Sequence, residues 1–236
     1  MASKRKGKEI EGSRSCASKK QSTVCNNGIN FKDPQQRNRY KSLISRTIFA
    51  CRYPNANVMD RIGIKEHVIR LLNNLGLVEM LKPMRAFENF TYEFLSSIYF
   101  TKDRSKTDNP DHRVAFRLLN FDYEMSLEAF CSELGLANAG YIHDSWDQTL
   151  RPTDYDLVAF WKSITGLNQY NSRSNKASNS HNPVLRYLQR VMACTIWGRK
   201  EVRMMRTDEL FMLWAMLYNH PVNICYYFLD YTCFNC

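Results

Sequence analysis

The sequence predicts a mainly α protein. The expected architecture is a single helical domain with a small β-hairpin or short sheet near residues 97–125, preceded by a disordered basic tail. Three observations carry that reading. Apolar residues recur at helical spacing in segments bounded by capping residues and glycines. One short segment alternates side chains with the period of a strand instead. The positive charge is also segregated: residues 1–46 hold 12 of the 33 Lys and Arg but 3 of the 23 Asp and Glu, which is +9 of a net +10.

The tail, residues 1–38, carries few large apolar side chains, too few for burial to offset the entropy of ordering it. The domain is read over 39–236, and a whole-chain composition of 44% hydrophobic and 13% aromatic residues gives it enough for a substantial core. Lys4, Arg5, Lys6 and Lys8 are followed by polar residues rather than an apolar stretch, so no secretory signal is expected. The eight cysteines, at 16, 25, 51, 131, 194, 225, 233 and 236, form no disulfide framework and are expected to be reduced. Leu210 to Leu229 is 20 residues without a formal charge, on paper long enough to cross a bilayer. Asn219, His220, Pro221 and Asn223 interrupt it, which favours a buried core helix and no membrane partner.

Taken in order, Tyr40–Cys51 is the first structured segment, broken by Pro54 and Asn55. Ile64–Asn74 reads as a helix through Ile64, Val68, Ile69, Leu71, Leu72 and Leu75, stopped by Gly76. Phe90–Phe100 is ambiguous between helix and strand. Thr101–His112 is a polar loop. Val114, Phe116 and Leu118 alternate with Ala115, Arg117 and Leu119 as a strand, with a turn at Asn120–Asp122. Ser126, Thr153, Asn182-Pro183 and Thr207 each open a helix, and Gly135, Gly166, Gly198 and Pro221 close them. Leu167–His181 is rich in Ser and Asn and reads as a mobile loop.

Signatures of catalysis are missing: no phosphate-binding glycine loop, no GxGxxG, no HExxH and no GxSxG. No enzyme activity, cofactor or small-molecule substrate is therefore expected. An acid–base pair among the carboxylates between Asp103 and Asp156, with His143, remains as the enzyme alternative. No metal site is assigned. The best candidate is His220, Cys225, Cys233 and Cys236, whose spacing matches no zinc module and whose aromatic surroundings suit buried thiols better. The tail cluster Lys4, Arg5, Lys6, Lys8, Lys19 and Lys20 suits a nuclear import signal or contact with nucleic-acid phosphates. A second cluster, Arg186, Arg190, Arg199, Lys200 and Arg203, could grip phosphates. Its alternative is the wet face of an amphipathic helix whose Leu185, Leu188, Met192 and Ile196 face the core.

Four blocks carry a family resemblance: TYEFLSSI (91–98), VAFRLLNFDYEMSLEAFCSELGL (114–136), HNPVLRYLQRVMACTIWGRKE (181–201) and DELFMLWAMLYNHPVNICYYFLD (208–230). In this order they resemble the C-terminal domain encoded by the first open reading frame of Athila-type plant (Arabidopsis) retrotransposons, related to a plant transposon protein domain. The similarity spans roughly residues 40–230. It implies a non-enzymatic, gag-region structural or assembly protein that associates with itself and packages element RNA; the basic tail, outside the resembling domain, is expected from its charge to contact RNA or DNA. It brings no catalytic residues to carry over. Such domains continue past the last block, so the resemblance also implies a C-terminal truncation that would leave Tyr226–Cys236 as an exposed apolar patch. A nuclear DNA- or RNA-binding module of transposon origin is the alternative. A nuclear location is favoured over a cytoplasmic one.

Overall fold

The computed structural model describes residues 28–46, 51–83, 85, 87–102, 111–136, 152–171 and 174–235. Most of the predicted tail, with all six of its named basic residues, lies outside them. The first helix, α1 (Pro34–Ile44), nevertheless begins inside the stretch read as tail. The Asp33 side chain accepts the Gln36 N–H at 2.7 Å, and Pro34 occupies the first helical position, where its missing N–H costs nothing. Tyr40 anchors the helix, fully buried against Phe31 and Tyr92 at ring distances of 5.2 and 6.1 Å. The Asp-Pro cap was the local signal for this helix, and low apolar content hid it.

Helices α2 (Ala56–Arg61) and α3 (Lys65–Asn74) follow, then α4 (Glu88–Ser97). The ambiguous 90–100 segment divides: Ile98 turns extended at the end of α4, and β1 (Tyr99–Thr101) begins. Strands β2 (Arg113–Leu118) and β3 (Phe121–Ser126) complete an antiparallel sheet in the order β1-β2-β3. Phe100, Val114 and Met125 form one cross-strand row against the core. The turn sits at Leu119 and Asn120, with φ of 54° and 65°, one residue earlier than the sequence suggests. Paired positive φ values match the right-handed twist of the two strands. They are strained for Leu119, which lacks the freedom of Gly or Asn.

Glu93 of α4 holds that turn. Its side chain is buried, and its two oxygens accept the N–H groups of Leu119 at 2.8 Å and Asn120 at 2.7 Å. The Asn120 side chain in turn accepts from Asn30 N–H and donates to the Gly28 carbonyl. The chain ahead of α1 is thereby stitched to the hairpin.

Helix α5 (Leu127–Glu133) is capped by Ser126 as predicted. The cap of α6 (Leu157–Thr165) is Asp156 rather than Thr153: its carboxylate accepts from both Val158 and Ala159 N–H. Tyr155, just outside, packs on Phe211 and Trp214 and sets the entry of the chain. Helix α7 (Pro183–Thr195) begins at the predicted Asn182-Pro183 cap. The long uncharged stretch splits into α8 (Thr207–Tyr218) and α9 (Ile224–Asn235), with Asn219 left-handed between them. No helix of the described residues is long and apolar enough to cross a membrane.

Leu210 to Met216 of α8 are all buried, and α3, α6 and α7 surround that helix. Among residues 226–233, whose side chains are described, the expectation of an exposed C-terminal patch is overturned. Tyr226, Tyr227 and Leu229 of α9 are buried, and Tyr226 meets Phe100 of β1 edge to face at 5.3 Å. A helix with apolar residues all round needs partners on every side, and β1 and α5 supply them.

The Ser/Asn-rich loop is held down in its described part. Ala177 N–H donates to the Arg203 carbonyl at 2.7 Å, Met205 N–H to the Asn175 carbonyl at 3.0 Å, and His181 N–H to the Ile164 carbonyl at 2.9 Å. Its many small polar residues suggested mobility, but the backbone pairing comes from distant sequence that a local reading does not weigh.

Two substitutions at the hairpin should move stability in opposite directions. Glu93→Ala strands two N–H groups and is expected to cost about 2–4 kcal/mol. Leu119→Gly relieves a strained, half-exposed residue and is expected to gain about 0.5–1 kcal/mol. Urea unfolding of both variants checks this, and a destabilised Leu119→Gly protein would contradict the account of the turn.

Candidate nucleic-acid interface

The 186–203 cluster divides into parts with different work. In α7, Leu185, Leu188, Met192 and Ile196 are buried, as their spacing predicts, which turns Arg186 and Arg190 to solvent. The segment before α2 lies against this helix, because Asn55 N–H donates to the Tyr187 hydroxyl at 2.9 Å. That contact brings Arg52 to the same surface. Burial pushes the Cys194 thiol pKa up, while Arg52, Arg199 and Arg190 pull it back, which places these cations around one side chain. Among the described residues, no carboxylate pairs with Arg52, Arg186 or Arg190. Three arginines without counter-charge can present bidentate donors to phosphate oxygens. Sequence reasoning missed Arg52, which is isolated from the cluster in the chain and has no local pattern.

Arg199 does something else. Its side chain is 8% exposed and forms an ion pair with Glu209, whose side chain is 1% exposed. A second nitrogen of Arg199 donates to the Met204 carbonyl at 3.2 Å. Gln189 Nε2 donates to the other Glu209 oxygen at 2.8 Å, and Arg206 N–H reaches it at 3.1 Å. Every direction around the carboxylate is occupied from α7, the following loop and the start of α8. Arg199 is thus spent on the fold and cannot serve as a phosphate contact. Its position after Gly198, amid other cations, gave no hint of a buried partner ten residues on. Arg203 lies 3.6 Å from Glu201 with both side chains largely exposed, a rim pair of little energetic weight. Lys200 is exposed beside it.

The metal candidates are not brought together. His220 stacks on Trp214 at 4.4 Å, with Nε2 3.1 Å from Asp154. Cys225 is buried against Cys131 of α5, and the hydrogen bond between the two thiols, then burial, pushes the Cys225 pKa far up. A thiol held protonated is a poor zinc ligand. Among the described residues, no three His, Cys, Asp or Glu side chains are placed to hold a metal ion. Cys236, His143 and much of the Asp103–Asp156 stretch lie outside the described residues.

These features define a mainly helical body with one small sheet, built around a buried charge pair, whose α7 surface carries uncompensated arginines. Across residues 18–219 the chain matches the model of the ATHILA ORF-1 family, and it belongs to that family of retrotransposon first-open-reading-frame proteins. No curated protein and no solved structure matches it.

The charge pair makes two tests. Arg199→Met leaves a buried carboxylate without its cation and is expected to cost about 3–5 kcal/mol. The double variant Arg199→Met/Glu209→Gln, which removes both charges, should recover most of that loss in urea unfolding. The pH dependence has a definite sign. Burial raises the Glu209 pKa above the ordinary glutamate value, with the Gln189 hydrogen bond and the Arg199 charge pulling it back. The folded state therefore binds this proton more tightly than the unfolded chain. The group's contribution is fully present below the ordinary value and is lost as pH rises through the raised one. Between about pH 4 and about pH 8, a window spanning the ordinary value, the stability of wild type relative to Glu209→Gln should fall. A gap that widens in favour of wild type would show that the Arg199 attraction outweighs burial.

Proposed function

We propose that this protein is a gag-like, non-enzymatic structural component of a retrotransposon that associates with nucleic acid and with itself. The observation that carries the proposal is the α7 surface, where Arg52, Arg186 and Arg190 have no carboxylate partner among the described residues. Arginines gathered on one face of a nearly neutral body form the kind of basic patch that a polyanion meets. The tail residues Lys4, Arg5, Lys6, Lys8, Lys19 and Lys20 add a second source of counterion release and suit a nuclear import signal. Phe87 and Phe90, exposed and 5.8 Å apart at the start of α4, are the kind of surface on which copies meet. The alternative, a nuclear DNA- or RNA-binding module of transposon origin, shares the same surface and differs in preferring duplex DNA or lacking assembly.

The test uses fluorescent RNA and duplex DNA of equal length across a salt series. Three full-length proteins are compared: wild type, a tail variant with the six basic residues changed to Gln, and Arg52→Ala/Arg186→Ala/Arg190→Ala. Wild type is expected to bind with a steep salt dependence, of about −0.7 in log–log slope per phosphate neutralised on single strands. Each variant should flatten that slope, and light scattering of wild type should show association. Absence of binding by wild type at low salt, or slopes unchanged in both variants, would remove the nucleic-acid reading.

A further inference from the structure

Helix α7 carries a thiol on the same ridge as its outward arginines. Arg186, Arg190 and Cys194 recur every four residues, and Cys194 is half-buried where Ala193 and Ile196 are fully covered. A second thiol reaches this ridge from far away in the sequence. Cys51 is exposed and stands in the irregular segment that leads to α2. Asn55, at the other end of that segment, is fixed on α7 by its bond to the Tyr187 hydroxyl. Pro54 disfavours helical backbone at Tyr53, so the four steps from Cys51 to Asn55 span up to about 14 Å. From Tyr187 to Cys194 the helix rises about 10 Å, and the two residues share a face. The segment is therefore long enough to lie along α7 with Cys51 beside Cys194. The charges agree: after burial and Arg52, Cys51 is the strongest influence on the Cys194 thiol.

Two neighbouring thiols, one exposed and one half-covered, have the arrangement of an attacking and a resolving cysteine. The surrounding charge selects the oxidant. Arg52 adjoins Cys51 in the chain, Arg190 lies one turn before Cys194, and Arg186 one turn before that, all three exposed. Together they draw an anionic reagent to the exposed sulfur. Oxidised glutathione is such a reagent, because its carboxylates outnumber its ammonium groups. The other thiol pair among the described residues, Cys131 and Cys225, is fully buried and out of a reagent's reach.

We propose that Cys51 and Cys194 form a thiol switch on the α7 surface, modified by oxidised glutathione that the arginines attract. The Cys51 thiolate attacks one sulfur of the reagent. A bond from Cys51 to glutathione forms, the reagent's own S–S bond breaks, and one glutathione leaves as a thiolate. While attached, the other glutathione sets its carboxylates among Arg52, Arg186 and Arg190 and competes with phosphate. The Cys194 thiolate then attacks the Cys51 sulfur, closing the Cys51–Cys194 disulfide and releasing the second glutathione. In sum the two protein thiols give up two electrons and two protons, and one glutathione disulfide becomes two glutathione thiols. The thiol chemistry stands on its own, whereas its effect on RNA rests on the nucleic-acid reading of the same surface.

The test exposes the reduced full chain to oxidised glutathione at low salt and maps the products by peptide mass spectrometry. Wild type is expected to accumulate the Cys51–Cys194 disulfide. Cys194→Ser should stop at glutathione on Cys51, and Cys51→Ser should leave Cys194 unlinked. Arg52→Ala/Arg186→Ala/Arg190→Ala should slow the first step by at least about threefold, yet react with the neutral hydroxyethyl disulfide at the wild-type rate. Glutathione that stays on Cys51 in wild type, or no reaction at Cys51, overturns the pair. Equal slowing with both reagents, or none with glutathione, overturns the role of the arginines. In Cys194→Ser, glutathione on Cys51 should weaken RNA binding at least about fivefold near 0.1 M salt, the loss of about one phosphate contact. Dithiothreitol should restore it. RNA binding by the reduced protein that glutathione leaves unchanged sinks the switch alone. No RNA binding by reduced wild type removes the nucleic-acid reading, while the mapped disulfide would still report on the thiols.

Discussion

Glu209 carries a carboxylate into a cluster of Leu, Phe, Met and Trp side chains where water does not reach, and much of the helical body is arranged to answer it. An isolated buried charge costs several kcal/mol, so its oxygens must be filled by donors held in place. Arg199 supplies the countercharge, Gln189 a side-chain N–H, and Arg206 a backbone N–H. The Met204 carbonyl then receives donors from both Arg199 and Gln189. The chain between α7 and α8 follows a path that satisfies all of these. That path presents Arg203 and Met205 to the 175–177 segment, whose end is tied by His181 to Ile164 of α6. From one carboxylate the constraint spreads through α6, the loop, α7 and α8, and α8 is the helix the others surround. A salt bridge of this kind adds little net stability over apolar packing, but it penalises wrong arrangements heavily.

Glu93 meets the same difficulty by different means. It has two backbone N–H groups rather than a guanidinium, both from a turn with left-handed residues. The acceptor and the turn depend on each other: without the carboxylate the strained Leu119 conformation has less to hold it, and without the turn the carboxylate has no donors. The sheet is thereby fixed on α4, and through Asn120 on the segment that leads into α1. The two carboxylates divide the molecule into a hairpin half organised by Glu93 and a bundle half organised by Glu209, joined where α9 packs on β1.

What could be read in the sequence follows from range. The α7 helix was legible to its first residue because Asn182-Pro183 and the Leu185, Leu188, Met192 stripe are local facts. So were the Ser126 cap and the alternation of Val114 to Leu118. Helix α1 was hidden because its anchor, Tyr40, draws its value from Tyr92, fifty residues on. The loop at 167–181 looked mobile because its composition was counted and its backbone partners at 203 and 205 were not. The apolar end of the chain was expected to be exposed because the resemblance implied that its partners were missing, yet β1 and α5, about a hundred residues earlier, pack on it. Cys225 and His220 shared a spacing, but spacing says nothing about which side of a helix end each one faces.

Charge was the least legible property, and the α7 region shows why. Arg186, Arg190 and Arg199 are chemically the same residue within fourteen positions. Helical phase alone assigns Arg186 and Arg190 to solvent, because the core-facing positions are already taken by leucine and methionine. Beyond Gly198 the phase is lost, and whether a guanidinium turns inward depends on the presence of an unpaired buried acid. Glu209 is that acid, and its burial follows from the apolar run after it, which draws the first turn of α8 inside. Each cation is therefore assigned by asking which anion needs it. Arg199 answers to Glu209 and Arg203 to Glu201. Arg52, Arg186 and Arg190 have no described carboxylate to answer to, and it is this remainder, rather than the total charge, that points outward to a polyanion.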